Sequence, residues 1–211
     1  MKHIIDTKNW KRKEHYAFFK DYEEPFFGIT AHVDCTEAYR YTKRNRLSFF
    51  LYYMYKSLLA VNATEEFRYR IEGEDIVCYD RVHGSTTTLN ADNVFAFAFL
   101  PFTGDFNEYY TEAKKDIGMI RSISGMNLNE NSRRTDVIHY STVPWVSFTG
   151  LSFERNFARP DSIPKITFGK FFTEKERLWL PLSVSAHHGL MDGIHIGTYF
   201  ELFQEALNTN E

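Results

Sequence analysis

The chain has 211 residues, a net charge of −3 and well-mixed basic and acidic side chains, which disfavours a nucleic-acid or membrane-binding surface. Its length suits one substantial domain, which we expect to span residues 1–211, and is short for two. Only Cys35 and Cys78 are present and no apolar leader precedes a small-residue cleavage site, so we expect small-molecule chemistry in a reducing cytoplasm.

Helical and strand patterns alternate in the N-terminal half. Residues 10–22 mix charge and aromatic side chains in the manner of a short helix, and residues 26–33 predict a strand. Residues 47–61 are mostly apolar, yet they are fewer than the ~20 residues that a membrane span needs. They therefore predict a buried helix. Residues 67–71 and 75–79 predict a hairpin.

The patterns of the C-terminal half are mainly those of antiparallel strands and one helix. Residues 94–99 alternate as a strand does, and residues 106–120 have helical periodicity. Residues 142–148 and 166–172 predict two more short strands. Together these elements predict a mixed α+β fold, in which a largely antiparallel sheet carries packed helices. Aromatic side chains make up 17% of the chain, which fits a large core or an apolar pocket for an aromatic ligand.

The most informative segment lies where the last strand passes into the terminal helix. Residues 178–185 predict a strand in which Pro181 indicates an edge or an irregularity. His187 and His188 follow at its end, and turn chemistry at Asp192 precedes a helical pattern. The segment therefore presents histidine side chains at a junction between two elements.

This cluster admits three interpretations. A neutral imidazole can accept a proton from a hydroxyl or thiol, and at most one of His187 and His188 should face a given cleft, because consecutive strand residues point to opposite faces. With His195 and Asp192 the cluster also offers zinc or iron ligands, although its spacing is not that of helical zinc proteases. Asp192 equally suits a helix N-cap. Acid–base chemistry, metal binding and packing all stay open on spacing alone.

Five blocks of sequence carry a more specific signal. They are residues 9–15, 141–146, 166–170, 180–184 and 187–193, and the last contains the pattern H-H-x-x-x-D-G. In the order and spacing of all five, the chain resembles the chloramphenicol acetyltransferase family along essentially its whole length. The pattern H-x-x-x-D-G alone is shared with other coenzyme A acyltransferases, so the family resemblance depends on the blocks together.

The resemblance implies an acetyl-CoA-dependent O-acetyltransferase that forms a homotrimer with active sites at the subunit interfaces. It implies that His188 is the general base, which takes a proton from a substrate hydroxyl while that hydroxyl attacks acetyl-CoA directly, with no acyl-enzyme. Ser141 matches the family's oxyanion donor, and Thr167 matches the residue that holds a water near the same transition state. The resemblance implies no metal.

Supporting and binding residues follow from the same resemblance. Asp192 matches a structural aspartate that pairs with an arginine near the N-terminus, here Arg12. Trp145, Lys170 and Phe171 match positions that contact coenzyme A.

Two departures concern phenol groups. Phe19 stands where the family commonly has a tyrosine in the antibiotic pocket, and Phe171 stands where the family has a tyrosine in the segment that contacts coenzyme A. The leading interpretation is acetylation of chloramphenicol, and these changes allow a different hydroxylated acceptor. A non-catalytic trimer that sequesters an aromatic ligand is the alternative of another class, and the intact His188 and Ser141 disfavour it. A metal hydrolase that uses His187, His188 and His195 is a third.

Overall fold

A mixed sheet organises the computed structural model of this protein, which describes residues 1–153 and 161–209. The described elements follow in chain order: β1 (Lys2–Ile4), α1 (Lys13–Phe19), β2 (Phe26–Asp34), α2 (Thr36–Arg44), α3 (Phe49–Ala63), β3 (Tyr69–Glu72), β4 (Asp75–Tyr79), β5 (His83–Leu89), β6 (Phe95–Leu100), α4 (Phe106–Ile120), β7 (Val137–Val143), β8 (Lys165–Gly169), β9 (Phe172–Glu174), β10 (Arg177–His187) and α5 (Gly193–Asn208).

The large sheet has the strand order β2-β10-β8-β7-β5-β6, and β9 pairs with one end of β10. The pairs β5–β7 and β7–β8 are parallel, while β10 is antiparallel to β2, β8 and β9, and β5 is antiparallel to β6. A smaller antiparallel sheet has the order β1-β4-β3. The predicted α+β fold with a largely antiparallel sheet is confirmed.

Helix α3 forms the centre of the core. Ser48 caps it by accepting a hydrogen bond from the backbone N–H of Leu51, and its residues are buried around nearly the whole circumference. Inside the core, the Ser57 hydroxyl lies 2.8 Å from the hydroxyls of both Tyr140 and Tyr199. Such mutual hydrogen bonds let polar aromatic side chains be buried without an unpaired hydroxyl. Much of the aromatic content is therefore core.

The two faces of the sheet differ in chemistry because side chains alternate along each strand. One face packs against the helices through apolar residues of β6, β7, β8 and β10. The opposite face carries two transverse rows of polar residues, since residues in register on neighbouring strands point to the same side. One row consists of Ser183, Thr167 and Ser141, and the other consists of Ser185, Lys165, His139 and Ser85.

Two predictions about strands need correction. The strand predicted at 142–148 is wrong in its bounds, because β7 ends at Val143 and a turn follows, in which the Val146 N–H donates to the Val143 carbonyl at 3.3 Å. The sequence offered an edge or an irregularity for Pro181, which lacks an N–H, and the edge alternative is wrong, because β10 is an interior strand. The irregularity is real, because Pro181 falls in the gap between the pairing with β9, which ends at Trp179, and the pairing with β8, which begins at Leu182.

Both cysteines are buried and free. Burial is the main cause that raises the pKa of the Cys35 thiol to about 12. Thiolate is the reactive form, so Cys35 is a packing residue with little reactivity. Among the described residues, no helix is long and apolar enough to cross a membrane.

Candidate active site

The turn between β10 and α5 holds the two adjacent histidines in different environments. His187 is 3% exposed, and its Nδ1 accepts a hydrogen bond from the Gly189 N–H at 3.1 Å. A Cβ at Gly189 would lie 3.0 Å from the His187 ring, so the close approach favours glycine there. The His187 carbonyl also accepts from the N–H of Leu190 and of Met191. His187 therefore shapes the turn.

His188 is the histidine that reaches solvent, and its side chain is 36% exposed. Its ring lies between two aromatic rings, with centroid distances of 4.4 Å to Phe19 and 4.4 Å to Phe27. The backbone N–H of His188 donates to the Pro25 carbonyl at 2.8 Å. Nδ1 is buried and lies 3.3 Å from Asp192 Oδ1, without the alignment of a hydrogen bond. The imidazole is thus held on several sides, and Nε2 is the nitrogen left for a substrate.

Asp192 and Arg12 form a half-buried ion pair beside this turn. Arg12 is buried and donates from both terminal nitrogens to the two carboxylate oxygens of Asp192, and its Nη2 also donates to the His188 carbonyl at 2.9 Å. The hydrogen bond from Arg12 is the largest cause that holds the pKa of the Asp192 carboxyl below its usual range. Asp192 is also the N-cap residue of α5, as one interpretation of the sequence expected, and its carboxylate binds Arg12 through both oxygens.

His195 supports the start of α5. Its Nδ1 accepts from the Asp192 N–H at 2.9 Å, and its Nε2 lies 3.3 Å from Glu66 Oε1. Within residues 1–153 and 161–209, no group of three or more His, Cys, Asp or Glu side chains is placed to hold a metal ion. The hydrogen bonds of His187 and His195 to backbone N–H groups account for both side chains in this turn.

A first cavity of about 480 Å³ opens on the polar face of the sheet, and we call it the serine cavity. Its polar lining includes Ser85, His139, Ser141 and Lys165, and its aromatic lining is Phe95, Phe97, Tyr140, Trp145 and Phe153. No described residue forms a hydrogen bond with the Ser141 hydroxyl. Thr167 is the register neighbour of Ser141, and its hydroxyl oxygen is buried without a partner. Two hydroxyls with unused hydrogen-bonding capacity therefore lie side by side.

A second cavity of about 990 Å³ brings together the three predicted coenzyme contacts, and we call it the cationic cavity. Trp145, Lys170 and Phe171 line it together with Lys114 of α4 and Arg121, the residue that follows this helix. Among the described residues that line this cavity there is no Asp or Glu, and the residues other than these five are largely aromatic and aliphatic. The arrangement suits a ligand with both anionic and apolar parts.

The two cavities share a wall. Thr87, Thr88, Leu89, Thr142 and Trp145 line both of them. Ligands bound in the two cavities would therefore approach each other across β5 and β7.

Neither cavity is lined by His188 of the same chain. Ser183 is in register with Thr167, Thr167 is in register with Ser141, and His188 follows Ser183 by five positions. At ~3.3 Å per residue and ~4.8 Å between strands, His188 lies roughly 16 Å along the sheet and roughly 10 Å across it from Ser141. The side chains of His188 and Ser141 do not meet within one chain, whereas Phe19, Asp192 and Arg12 do gather around His188.

Several residues around the site carried no sequence signal. Phe27 and Pro25 hold His188 through the pairing of β2 with β10, and Lys165 joins His139 in the serine cavity through the pairing of β8 with β7. The polar alternation at 137–141, with His139 and Ser141 on the same face, is the one local hint of that cavity wall.

Comparisons with known proteins agree over nearly the whole chain. The family model described as chloramphenicol acetyltransferase matches residues 2–204. The chloramphenicol acetyltransferase of Staphylococcus aureus is 29% identical over 204 residues, covering 95% of this chain and 93% of that protein. The one from Escherichia coli is 27% identical over 206 residues, covering 95% and 91%.

Solved structures give the same result. A chloramphenicol acetyltransferase superposes with a TM-score of 0.91 at 31% sequence identity, covering 98% of this chain and 100% of that one. The similarity therefore extends through the sheet, the helices and the turn that carries His188.

Proposed function

We propose, because this chain belongs to the chloramphenicol acetyltransferase family, that it transfers the acetyl group of acetyl-CoA to a hydroxyl of chloramphenicol. The observation that carries the proposal is the imidazole of His188. It is stacked on Phe19 and packed at an angle against Phe27, fixed through its backbone, and left with Nε2 as its available nitrogen, because Nδ1 is buried. A base needs this combination of fixed orientation and access.

In the proposed reaction, His188 Nε2 takes the proton of the acceptor hydroxyl while the hydroxyl oxygen bonds to the thioester carbonyl carbon. The carbonyl π electrons move to oxygen and give a tetrahedral oxyanion. When this intermediate collapses, the C–S bond breaks, and the departing thiolate takes the proton from the His188 imidazolium. The products are an O-acetyl ester and the thiol of coenzyme A. The attack is direct in a ternary complex, so no acyl-enzyme forms.

Ser141 supplies the hydrogen bond to the oxyanion in this scheme. Its hydroxyl faces the serine cavity without a protein partner, as a donor reserved for a transition state would. Thr167 lies beside it with a buried, unpartnered hydroxyl, which supports a role in holding a water near the same oxygen. Asp192 and Arg12 keep the loop of His188 in place.

The cationic cavity supports the binding of acetyl-CoA. Lys114, Arg121 and Lys170 provide positive charge for phosphate groups, and Trp145 and Phe171 provide apolar surface for the rest of the cofactor. The shared wall with the serine cavity supports a ternary complex, because donor and acceptor can meet there without releasing an intermediate.

We place the complete site between subunits of a homotrimer, with each chain forming one domain. The separation of His188 from Ser141 within one chain supports this arrangement, since a base and an oxyanion donor must act on the same carbonyl group. In the trimer, His188 of one subunit would face the serine cavity of its neighbour. The free thiols of Cys35 and Cys78 fit a cytoplasmic enzyme.

A different hydroxylated acceptor is the second candidate, and one observation favours it. Phe19 covers the face of the His188 ring with its own ring at an interplanar angle of 10°, and it offers no hydroxyl to an acceptor. Phe171, in the cationic cavity, likewise packs against Tyr39 and Phe49 without a polar tip. Phe19 therefore offers an acceptor only apolar contact beside the base, which an acceptor other than chloramphenicol could also use.

The deciding experiment measures thiol release from acetyl-CoA with and without chloramphenicol. We expect the wild type to release thiol only when the acceptor is present, and His188→Gln, which keeps the size but not the base, to lose about 10²–10⁴-fold in kcat. His3→Gln, on the exposed strand β1, is the matched control and should keep wild-type kcat. Equal thiol release with and without chloramphenicol would exclude this acceptor, and an active His188→Gln would exclude the base.

A further inference from the structure

His139 is a part of the serine cavity that the proposed reaction does not use. It lies on β7 two positions before Ser141, so the two side chains point to the same face of the sheet. Lys165 of β8 and Ser85 of β5 are its register neighbours, and all three line the cavity. His139 therefore occupies a polar part of a cavity to which five aromatic side chains also contribute.

The imidazole of His139 has unused hydrogen-bonding capacity. Neither ring nitrogen has a hydrogen-bond partner among the described residues. Lys165 is already paired with Asp161. Burial, with a smaller contribution from Lys165, lowers the pKa of His139 to about 4. The ring is consequently neutral at physiological pH and carries one N–H donor and one acceptor nitrogen.

A purely structural histidine would be expected to bond to the protein, as the other enclosed histidines of this chain do. In each of them Nδ1 accepts a hydrogen bond from a backbone N–H, and the pairs are His83 with Phe102, His187 with Gly189, and His195 with Asp192. His139 has no such bond among the described residues, and its side chain lines the serine cavity instead. The missing partner is best supplied by a ligand in the cavity.

We propose that His139 is a specificity-determining residue that forms a hydrogen bond with a polar group of the acceptor other than the reacting hydroxyl. Residues two apart on a strand are separated by about 6.6 Å. Ser141 marks the position of the reacting carbonyl oxygen, so the acceptor class is an aromatic molecule with a second hydroxyl, amide or comparable group at about this distance. This inference rests on the proposed acetyl transfer.

The test compares steady-state kinetics of the wild type, His139→Ala and His139→Gln with chloramphenicol. We expect His139→Ala to raise the KM for the acceptor about tenfold, and His139→Gln to recover much of that loss, because its amide can donate and accept. The KM for acetyl-CoA should stay unchanged, because His139 lies outside the cationic cavity. Since KM does not depend on how much of the enzyme is folded, loss of stability in a variant does not obscure the result. His3→Ala controls for the loss of an imidazole elsewhere.

Chloramphenicol analogues that each lack one polar group identify the partner. One analogue should have the same KM with the wild type and with His139→Ala, because both then lack the same hydrogen bond. If the wild type is active and His139→Ala keeps the wild-type KM for every analogue, the role of His139 is refuted and the proposed function stands. If the wild type acetylates none of them, the proposed function fails and this inference fails with it.

Discussion

Two inactive variants, His188→Ala and Ser141→Ala, should restore activity when they are combined in one trimer. Alone, the first loses the base and should lose about 10²–10⁴-fold in kcat. The second loses the oxyanion donor and should lose about 10²–10³-fold. In the proposed assembly each site takes His188 from one subunit and Ser141 from the next. A mixed trimer therefore contains an interface at which the intact copy of each residue meets the other.

The recovered activity follows from symmetry. A cyclic trimer has one such interface between each pair of neighbours, and each interface has a direction. Whether the trimer contains two copies of one variant or two of the other, one interface joins an intact His188 to an intact Ser141. Mixed trimers should therefore show about one third of the wild-type kcat per trimer. The structural basis is the separation of roughly 16 Å along the sheet and roughly 10 Å across it within one chain.

The assay co-expresses the two variants with different affinity tags and purifies trimers through both tags in sequence. Trimers that carry His188→Ala under both tags control for the procedure and should stay inactive. Acetyl-CoA-dependent thiol release with the acceptor is measured for each preparation. If mixed trimers are no more active than the sum of the two parents, His188 and Ser141 do not belong to one site shared between subunits, and the proposed assembly is refuted.

Three further changes test single interactions. Arg12 is the main cause that holds the pKa of Asp192 in the folded protein below the ordinary value of 3.8. The ionised carboxylate therefore stabilises the fold fully above pH 3.8, and this stabilisation is lost as the pH falls through the folded pKa. The thermal unfolding temperature of Asp192→Asn should consequently vary less with acid pH than that of the wild type. Lys114→Gln should raise the KM for acetyl-CoA about threefold at low salt. Lys115→Gln is the control, because this next residue of α4 lies outside the cationic cavity, and it should keep the wild-type KM. If the two variants have the same KM for acetyl-CoA, Lys114 does not belong to the cofactor site. The fully buried guanidinium of Arg70 donates to four backbone carbonyls. Arg70→Met should therefore lower the free energy of unfolding in urea by about 2–4 kcal/mol, because those carbonyls lose their donor. An unchanged free energy of unfolding would show that the carbonyls need no donor.

Sequence patterns predicted the elements whose periodicity and end signals agree. Helix α4 occupies residues 106–120 as predicted, because its apolar spacing coincides with an N-cap at Asp105, which accepts from the Glu108 N–H at 2.8 Å. Strand β5 escaped prediction because its serine and threonine residues hide the alternation, although Thr86 is fully buried. Helix α2 escaped because Ala38, Thr42 and Thr36 are its only described buried residues, so it lacks an apolar stripe.

Within the candidate site, too, local sequence patterns predicted some residues and could not predict others. Local pattern could say that at most one of two adjacent histidines faces a given cleft, and in the turn His188 is the one that reaches solvent, because His187 is enclosed and bonded to Gly189. The place of His139 could not be read locally, because it depends on the pairing of β7 with β8 and β5. Strand register is set by the tertiary structure, so a cavity lined by several strands cannot be predicted from any one segment of the sequence.

The proposed division of the site between subunits of a trimer makes catalysis depend on assembly. In that assembly, a free subunit has its proposed base, His188, far from its proposed oxyanion donor, Ser141, which lines the serine cavity. Water bound near His188 then lacks the hydrogen bond that stabilises attack on a thioester, so an unassembled chain gains little ability to hydrolyse acetyl-CoA. Association brings the two halves together only where an acceptor cavity is also present. The division therefore directs the acetyl group to the acceptor, and it ties activity to the same contacts that hold the trimer together.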